Sequence, residues 1–175
     1  MRRLTLITTG GTVEKTYDES TGELVNRQSI VRRMLRRIRL EDTIVRIIEL
    51  MSKDSLLMTP DDRQRVLEAV ISAIGNGGET PATDGIVILH GTDTLAKTGE
   101  HLLAGLSVPR VPIVLTGAIR PYEMTRSDAL QNLTEAILTA GVMRPGVYCA
   151  FHGRVLAFPG VVKDAARRTF VKPSQ

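Results

Sequence analysis

Apolar residues recur along this chain in two alternating rhythms. Short runs rich in Val, Ile and Leu, at Leu4–Ile7, Thr43–Leu50, Gly85–Leu89, Val111–Leu115 and Gly146–Phe151, read as strands. Between them, apolar positions three and four apart mark helices. Ile30, Val31, Met34, Leu35 and Ile38 predict a helix over Ser29–Leu40. Val66, Leu67, Val70, Ile71 and Ile74 predict a second, begun by Thr59-Pro60-Asp61-Asp62 and ended by Gly75-Asn76-Gly77-Gly78. Leu95, Leu102, Leu103 and Leu106 predict a third. Leu130, Leu133, Ile137 and Leu138 predict a fourth, capped by Ser127 and stopped by Gly141. His152-Gly153-Arg154 reads as a turn into Val155–Phe158.

Strand alternating with helix predicts an α/β fold, an open, mostly parallel sheet with helices on both faces. The strand at Gly85–Leu89 is apolar almost throughout, as a strand covered on both faces should be. With 175 residues, no repeat and no linker, the expectation is one domain over 1–175. Residues 13–28 break the rhythm: they are polar, carry Tyr17, and read as a mobile loop after the first strand.

Composition narrows the classes. Trp is absent and aromatics make up 3% of the chain, so the core must be aliphatic. The single Cys149 excludes an intrachain disulfide framework, and no ligand spacing suggests a metal site. A net charge of +4 permits nucleic-acid contact without requiring it. Arg32, Arg33, Arg36, Arg37 and Arg39 lie mostly off their helix's apolar stripe, with no interleaved aromatics to stack on bases. They read as a solvated basic face, with an oligomer contact or a nucleic-acid patch as the sharper alternative, and no nucleic-acid partner is expected. The apolar run behind Met1-Arg2-Arg3 is too short for a signal peptide or a membrane span, which favours a cytoplasmic protein with no membrane partner.

Four strands run into polar loops, at Thr12, Ser52, Thr92-Asp93 and Ala118. A parallel sheet brings such loops to one edge, where they converge on a crevice. In Thr8-Thr9-Gly10-Gly11-Thr12 two glycines present a hydroxyl that either caps the turn or serves as a nucleophile. A nucleophilic Thr needs a base. A Lys and an Asp can hold and polarise a second Thr, and glycine turns expose N–H groups to an oxyanion. These residue types suit acyl transfer. Phosphate binding fits less well, because the dinucleotide glycine spacing and the Walker Lys-Ser/Thr pair are both missing.

Thr9-Gly10-Gly11-Thr12-Val13 and His90-Gly91-Thr92-Asp93-Thr94, in this order and each at a strand end, resemble the two signature segments of the bacterial-type L-asparaginases. Thr116-Gly117-Ala118-Ile119-Arg120-Pro121, with Ser127-Asp128 and Asn132, is similar to the same family. The resemblance runs from Leu4 to about Lys163 and corresponds to the family's amino-terminal, catalytic domain. It implies a flavodoxin-like sheet, hydrolysis of L-asparagine to L-aspartate and ammonia without metal or cofactor, and a homo-oligomer, dimer or tetramer. By the same resemblance, Thr12 is the nucleophile that forms an acyl-enzyme. Thr92, Asp93 and Lys163 form a second triad, and Tyr17 pairs with Thr12. Ser52 and Asp93 hold the substrate's α-carboxylate and α-amino group. Ala118 offers a main-chain contact to the side-chain amide, and Gly11 and Gly91 lie among the substrate contacts.

Three departures from the family pattern stand out. Tyr17 is nearer Thr12 in sequence than the loop Tyr of long relatives. Lys53 replaces a usual Gln, which favours a carboxylate ligand. The smaller carboxy-terminal domain of long relatives is expected to be absent. The substrate amine then falls to Asp93, or to a group such as Glu14 or Asp54, and weaker substrate affinity is expected. Three other functional readings remain open: an idle asparagine- or aspartate-binding module, an amidohydrolase leaning towards glutamine, and a basic scaffold whose Arg32–Arg39 helix binds nucleic acid or another subunit.

Overall fold

The computed structural model describes residues 1–75 and 80–173; of the helix stop expected at Gly75-Asn76-Gly77-Gly78, Gly75 caps the helix that ends at Ile74, and Asn76-Gly77-Gly78 lie outside the described residues. In chain order the elements begin with β1 (Arg2–Gly10), a 3-10 turn over Thr12–Glu14, and the strands β2 (Thr16–Asp18) and β3 (Glu23–Val25). There follow α1 (Val31–Leu35), β4 (Thr43–Lys53), a 3-10 turn over Ser55–Leu57 and α2 (Pro60–Ile74). The second half holds β5 (Gly85–Leu89), α3 (Leu95–Gly105), β6 (Pro112–Thr116), α4 (Ala129–Val142), β7 (Gly146–Phe151) and β8 (Arg154–Ala157). Two short strands close it, β9 (Val162–Asp164) and β10 (Thr169–Val171).

Six strands form the central sheet in the order β4-β1-β5-β6-β7-β8. The first five are parallel, and β8 folds back antiparallel on β7 through the turn at His152. From β1 the chain steps outward to β4 and later returns to place β5 on the other side of β1. The connections after β1 and β5 therefore leave in opposite directions, and a crevice opens between their carboxyl ends.

Period-two alternation sorts the core into two layers. Ile86 and Ile88 of β5, with Ile113 and Leu115 of β6, face Val66, Val70, Leu95 and Leu102 of α2 and α3. Val87, Leu89 and Val114 face Val31, Met34, Leu133 and Ile137 of α1 and α4. The expected α/β sheet with helices on both faces is what the chain forms.

Several local expectations change. The helix expected over Ser29–Leu40 is only α1, five residues long, and runs on in tighter turns in which Arg37 N–H donates to Met34 O and Ile38 N–H to Leu35 O. Ile30 at its cap supplies no side-chain acceptor, and Arg32/Arg36 and Arg33/Arg37 are like-charged pairs four apart, which weaken a helix. In α4 the buried face is Ala129, Asn132, Leu133, Ala136, Ile137 and Ala140, while Leu138 is 60% exposed. The small alanines let the helix lie close to the sheet, and the helix passes through Gly141 to end at Val142. Asp128, not Ser127, occupies the cap position, although Ser127 Oγ accepts the Ala129 N–H at 3.1 Å.

The strand expected to stop at Leu50 continues to Lys53. A register shift between Thr8 and Gly10 pairs Gly10 with Lys53, so Ser52 and Lys53 belong to the sheet edge rather than to a loop. Residues 13–28 are ordered into the 3-10 turn and an antiparallel hairpin of β2 and β3, with Tyr17 opposite Leu24. Asp18 accepts from the N–H and hydroxyl of Ser20 and pairs with Arg27, which ties the hairpin down.

Candidate active site

At the crevice, the two glycine turns touch. Gly11 follows β1 with φ +78° and ψ −178°, a conformation open essentially to glycine alone. A Cβ on Gly11 would lie 2.4 Å from the Cα and N of Gly91, which follows β5. A Cβ on Gly91 would lie 2.6 Å from the side chain of Ser55, after β4. Three strand ends thus converge because the turns after β1 and β5 carry no side chain at the contact. Thr12 and Thr92 are the residues next to this contact, one on each turn. Gly11 N–H donates to Lys53 O at 2.8 Å, which fixes the first turn to β4. Ser55 fixes the second: Thr94 N–H donates to its Oγ at 3.3 Å and Thr94 Oγ1 donates to its carbonyl at 2.9 Å.

Lys163 completes the cluster from the far end of the chain. Its Nζ donates to Thr92 Oγ1 at 2.9 Å and to Asp93 Oδ1 at 2.6 Å. Thr92 is 5% exposed, and the Lys163 and Asp93 side chains are 24% and 45% exposed. The triad therefore runs from a buried hydroxyl to an open carboxylate. Packing explains how Lys163 arrives. It lies on β9 directly opposite Phe170 of β10, and Phe170 is buried edge-on against Phe151 of β7, with ring centroids 5.1 Å apart. That aromatic contact seats the small hairpin beside the sheet.

A second network shapes the turn after β6. Asp128 accepts from the N–H groups of Ile119 and Arg120 and from His152 Nε2. Partial burial penalises its charge, but these hydrogen bonds together outweigh that cost, and its carboxyl is held below the usual range. Asn132 Nδ2 donates to Gly117 O at 2.9 Å, and Asn132 Oδ1 accepts His152 N–H at 3.1 Å. Ala118, fully buried, is held in that turn.

His90 is a structural residue. Its Nδ1 lies 2.8 Å from the carbonyl of Gly91, which can only accept, so Nδ1 carries the proton and Nε2 accepts from Thr98 Oγ1 at 2.8 Å. Full burial lowers its pKa to about 4, so the ring is neutral and shapes the Gly91 turn.

Other predicted residues are placed differently from one another. Ser52 Oγ is buried with no hydrogen-bond partner among the described residues, a hydroxyl that a ligand can satisfy. Lys53 does not offer a free ammonium to a carboxylate ligand. Its Nζ lies 2.9 and 2.8 Å from the two oxygens of Asp62. Asp62 is the buried carboxylate of the α2 capping box, and the Lys53 hydrogen bond, with those of Thr59, lowers its pKa to about 2.

Asp54 is also engaged, with Lys15 at 2.9 Å and with the Leu56 N–H, and these bonds hold its carboxyl low. Glu14 turns inward: it accepts the Gly10 N–H at 3.1 Å and the Ser29 hydroxyl, and burial raises its pKa to about 6. Neither Asp54 nor Glu14 is left free to meet a substrate amine. Tyr17 stands 59% exposed on its hairpin, with its hydroxyl over Gly22 and its N–H donating to Glu123 at 3.3 Å.

Of the residues singled out in the sequence, the structure brings Thr92, Asp93 and Lys163 into hydrogen-bond contact and sets Thr12 on the facing turn. Sequence reasoning did not find that Ser55, His90 and Asn132 brace the turns, since each looks like an ordinary polar residue until its partners arrive. Among the described residues, no group of His, Cys, Asp and Glu side chains could hold a metal ion, and no helix is long and apolar enough to cross a membrane.

The family model described as "Asparaginase, N-terminal" matches residues 3–173. The L-asparaginase of Thermococcus kodakarensis is 38% identical over 108 residues, which is 62% of this chain and 31% of that protein. The solved structure of a thermostable L-asparaginase from Thermococcus kodakarensis superposes with a TM-score of 0.79 at 31% identity, over 92% of this chain and 47% of the other. A glutamyl-tRNA(Gln) amidotransferase component from Methanococcus vannielii is 31% identical over 159 residues, 89% of this chain and 35% of that protein. A probable cytoplasmic L-asparaginase from Campylobacter jejuni shares the fold, with a TM-score of 0.80 at 24% identity, over 99% of this chain and 53% of the other. The chain spans about a third of the length of these curated relatives and about half of these solved structures.

Proposed function

The chain belongs to the asparaginase family, and from that premise we propose that it hydrolyses L-asparagine to L-aspartate and ammonia. The observation that carries this reading is the Lys163 ammonium bonded to both Thr92 Oγ1 and Asp93 Oδ1, beside the Gly11–Gly91 contact. An ammonium has three donors, and two of them reach these partners. A proton path needs both, with a buried hydroxyl at one end and an open carboxylate at the other.

In this scheme Thr12 Oγ attacks the side-chain amide carbon. The oxyanion that forms is met by main-chain N–H groups of the two glycine turns. The C–N bond then breaks, and ammonia leaves with the proton from the Thr12 hydroxyl. Water attacks the acyl-enzyme and the Thr92–Lys163–Asp93 chain relays its proton, so that aspartate is released and Thr12 regains its hydrogen. Ser52 Oγ and Asp93 are assigned to the α-carboxylate and α-amino group, and Ala118 to a main-chain contact with the amide. Tyr17 reaches Thr12 in this scheme only through movement of its hairpin. The protein is assigned to the cytoplasm and to a homo-oligomer of two or four copies.

A second reading is an amidotransferase component, favoured by the match to the Methanococcus vannielii protein over 89% of this chain. Ammonia release, measured with the 175-residue chain alone on asparagine and on glutamine, separates the readings. The expected result is release from asparagine that is abolished in Thr12→Ala and in Lys163→Met. No release without an added partner would favour the amidotransferase. Aspartate binding without any turnover would leave an idle binding module.

A further inference from the structure

Away from the crevice, the β6–α4 connection and the arginine-rich turns after α1 enclose a cavity of about 580 Å³. Arg33, Arg37 and Arg126 line it, with Tyr122 and a single carboxylate, Glu123. Arg33 is satisfied, since its Nη1 lies 2.7 Å from Glu123 Oε1 and its guanidinium stands 6.0 Å from the Tyr122 ring centroid. Arg37 and Arg126 have no ion pair or side-chain hydrogen bond among the described residues, unlike Arg33. Two guanidinium charges therefore face one concavity with nothing to neutralise them.

Backbone geometry adds to the case. Arg126 has φ +60°, a left-handed conformation that costs a non-glycine residue about 1 kcal/mol or more. The turn is pinned by Ser127, whose N–H donates to Met124 O and whose hydroxyl donates to Arg120 O at 3.0 Å. The fold thus keeps Arg126 on the same cavity lining as Arg37.

We propose that this cavity binds a small phosphate-bearing molecule. Two free guanidinium groups match the two charges of a phosphate, and each presents a planar fork suited to two phosphate oxygens. A carboxylate would leave one cation unmatched. The volume exceeds that of a phosphate alone, which leaves room for an attached organic group. The site also adjoins the catalytic turns: Tyr122 N–H donates to Val13 O at 3.2 Å, and Glu123 accepts the Tyr17 N–H. An occupant would rest against Tyr122 and Glu123, which are hydrogen-bonded to the segments that carry Thr12 and Tyr17. The substrate amide and its product carry no phosphate, so the site does not duplicate the crevice.

Calorimetric titration of the whole chain tests this independently of its activity. Pyrophosphate and a nucleoside 5′-monophosphate are titrated at an ionic strength held constant with sodium chloride. A single-stranded RNA oligomer serves as a third arm. The expected result is saturable one-to-one binding of at least one small phosphate. It should weaken at least tenfold in Arg37→Gln and in Arg126→Gln, and stay unchanged in Arg36→Gln, an exposed neighbour outside the cavity. Circular dichroism confirms that each exposed-site variant is folded. Binding of pyrophosphate alone identifies an inorganic ligand, and preference for the nucleotide identifies an organic one. Non-saturating uptake, equal loss in Arg36→Gln, or binding of RNA but of neither small phosphate would overturn the proposal.

Discussion

Lys163 Nζ stands 2.9 Å from Thr92 Oγ1 although 71 positions separate the two residues, and the same nitrogen lies 2.6 Å from the adjacent Asp93. One cation thus joins a hydroxyl that solvent barely reaches to a carboxylate that it reaches freely. Replacing the ammonium with a thioether of similar length keeps the volume and removes the proposed proton path. Lys163→Met is expected to lower kcat by about 10²- to 10⁴-fold, the usual worth of acid–base catalysis, with a far smaller change in KM. Steady-state ammonia release checks this, and an unaltered kcat would refute the role assigned to Lys163.

The touching turns make a second expectation. Gly91→Ala puts a methyl group 2.6 Å from the Ser55 side chain, so the variant should lose about 1–3 kcal/mol through overpacking. Gly11→Ala should lose more. Its methyl group meets the Gly91 backbone at 2.4 Å, and φ +78° adds backbone strain of about 1–3 kcal/mol. Urea unfolding of both variants gives the order, and a Gly11→Ala protein as stable as Gly91→Ala would contradict the contact.

Glu14 sets a pH dependence. Its carboxyl is raised from the usual 4.5 to about 6 because burial penalises the charge more than the Gly10 and Ser29 hydrogen bonds favour it. A group raised in the folded state contributes stability below its unfolded pKa and loses it as pH rises through the folded value. The loss across pH 4.5 to 6 is about 2 kcal/mol. Glu14→Gln escapes it, so its Tm relative to wild type should improve by roughly 5 °C between about pH 4.5 and about pH 7.5. A Tm difference that does not vary with pH would show that Glu14 is not strained by its burial.

Lys53 and Asp62 give the opposite sign. Asp62 is lowered from 3.8 to about 2, so its contribution is present above 3.8 and fades as pH falls through 2. Lys53→Met should destabilise by about 1 kcal/mol at neutral pH, allowing for the exposure of the lysine. The deficit should shrink near about pH 2.5, where the variant's Asp62 is protonated and needs no cation. KM should stay within about twofold if Lys53 braces α2 and makes no substrate contact. A tenfold rise in KM with unchanged stability would restore it as a ligand for the substrate carboxylate.

Much of the fold and half of the site can be read along the chain, and the dividing line is physical. Periodicity reports which face of each element is apolar, so the alternation of strand and helix was legible. So was the placing of Thr12 and Thr92-Asp93 at strand ends on one sheet edge. Element ends were less so. The arginines after Leu35 oppose the helix that the apolar stripe favours, and β4 runs past Leu50 because its partner Gly10 extends the pairing. Packing alone decides the rest. Lys163 reaches Thr92 because Phe170 is buried against Phe151. Lys53 turns to Asp62 because a buried carboxylate must be paired. Glu14 lies inside because its carboxylate finds the Gly10 N–H and the Ser29 hydroxyl there. A side chain's type states what it can bond, but which partner it meets is a matter of distance, and distance between residues far apart in sequence exists only once the chain has folded.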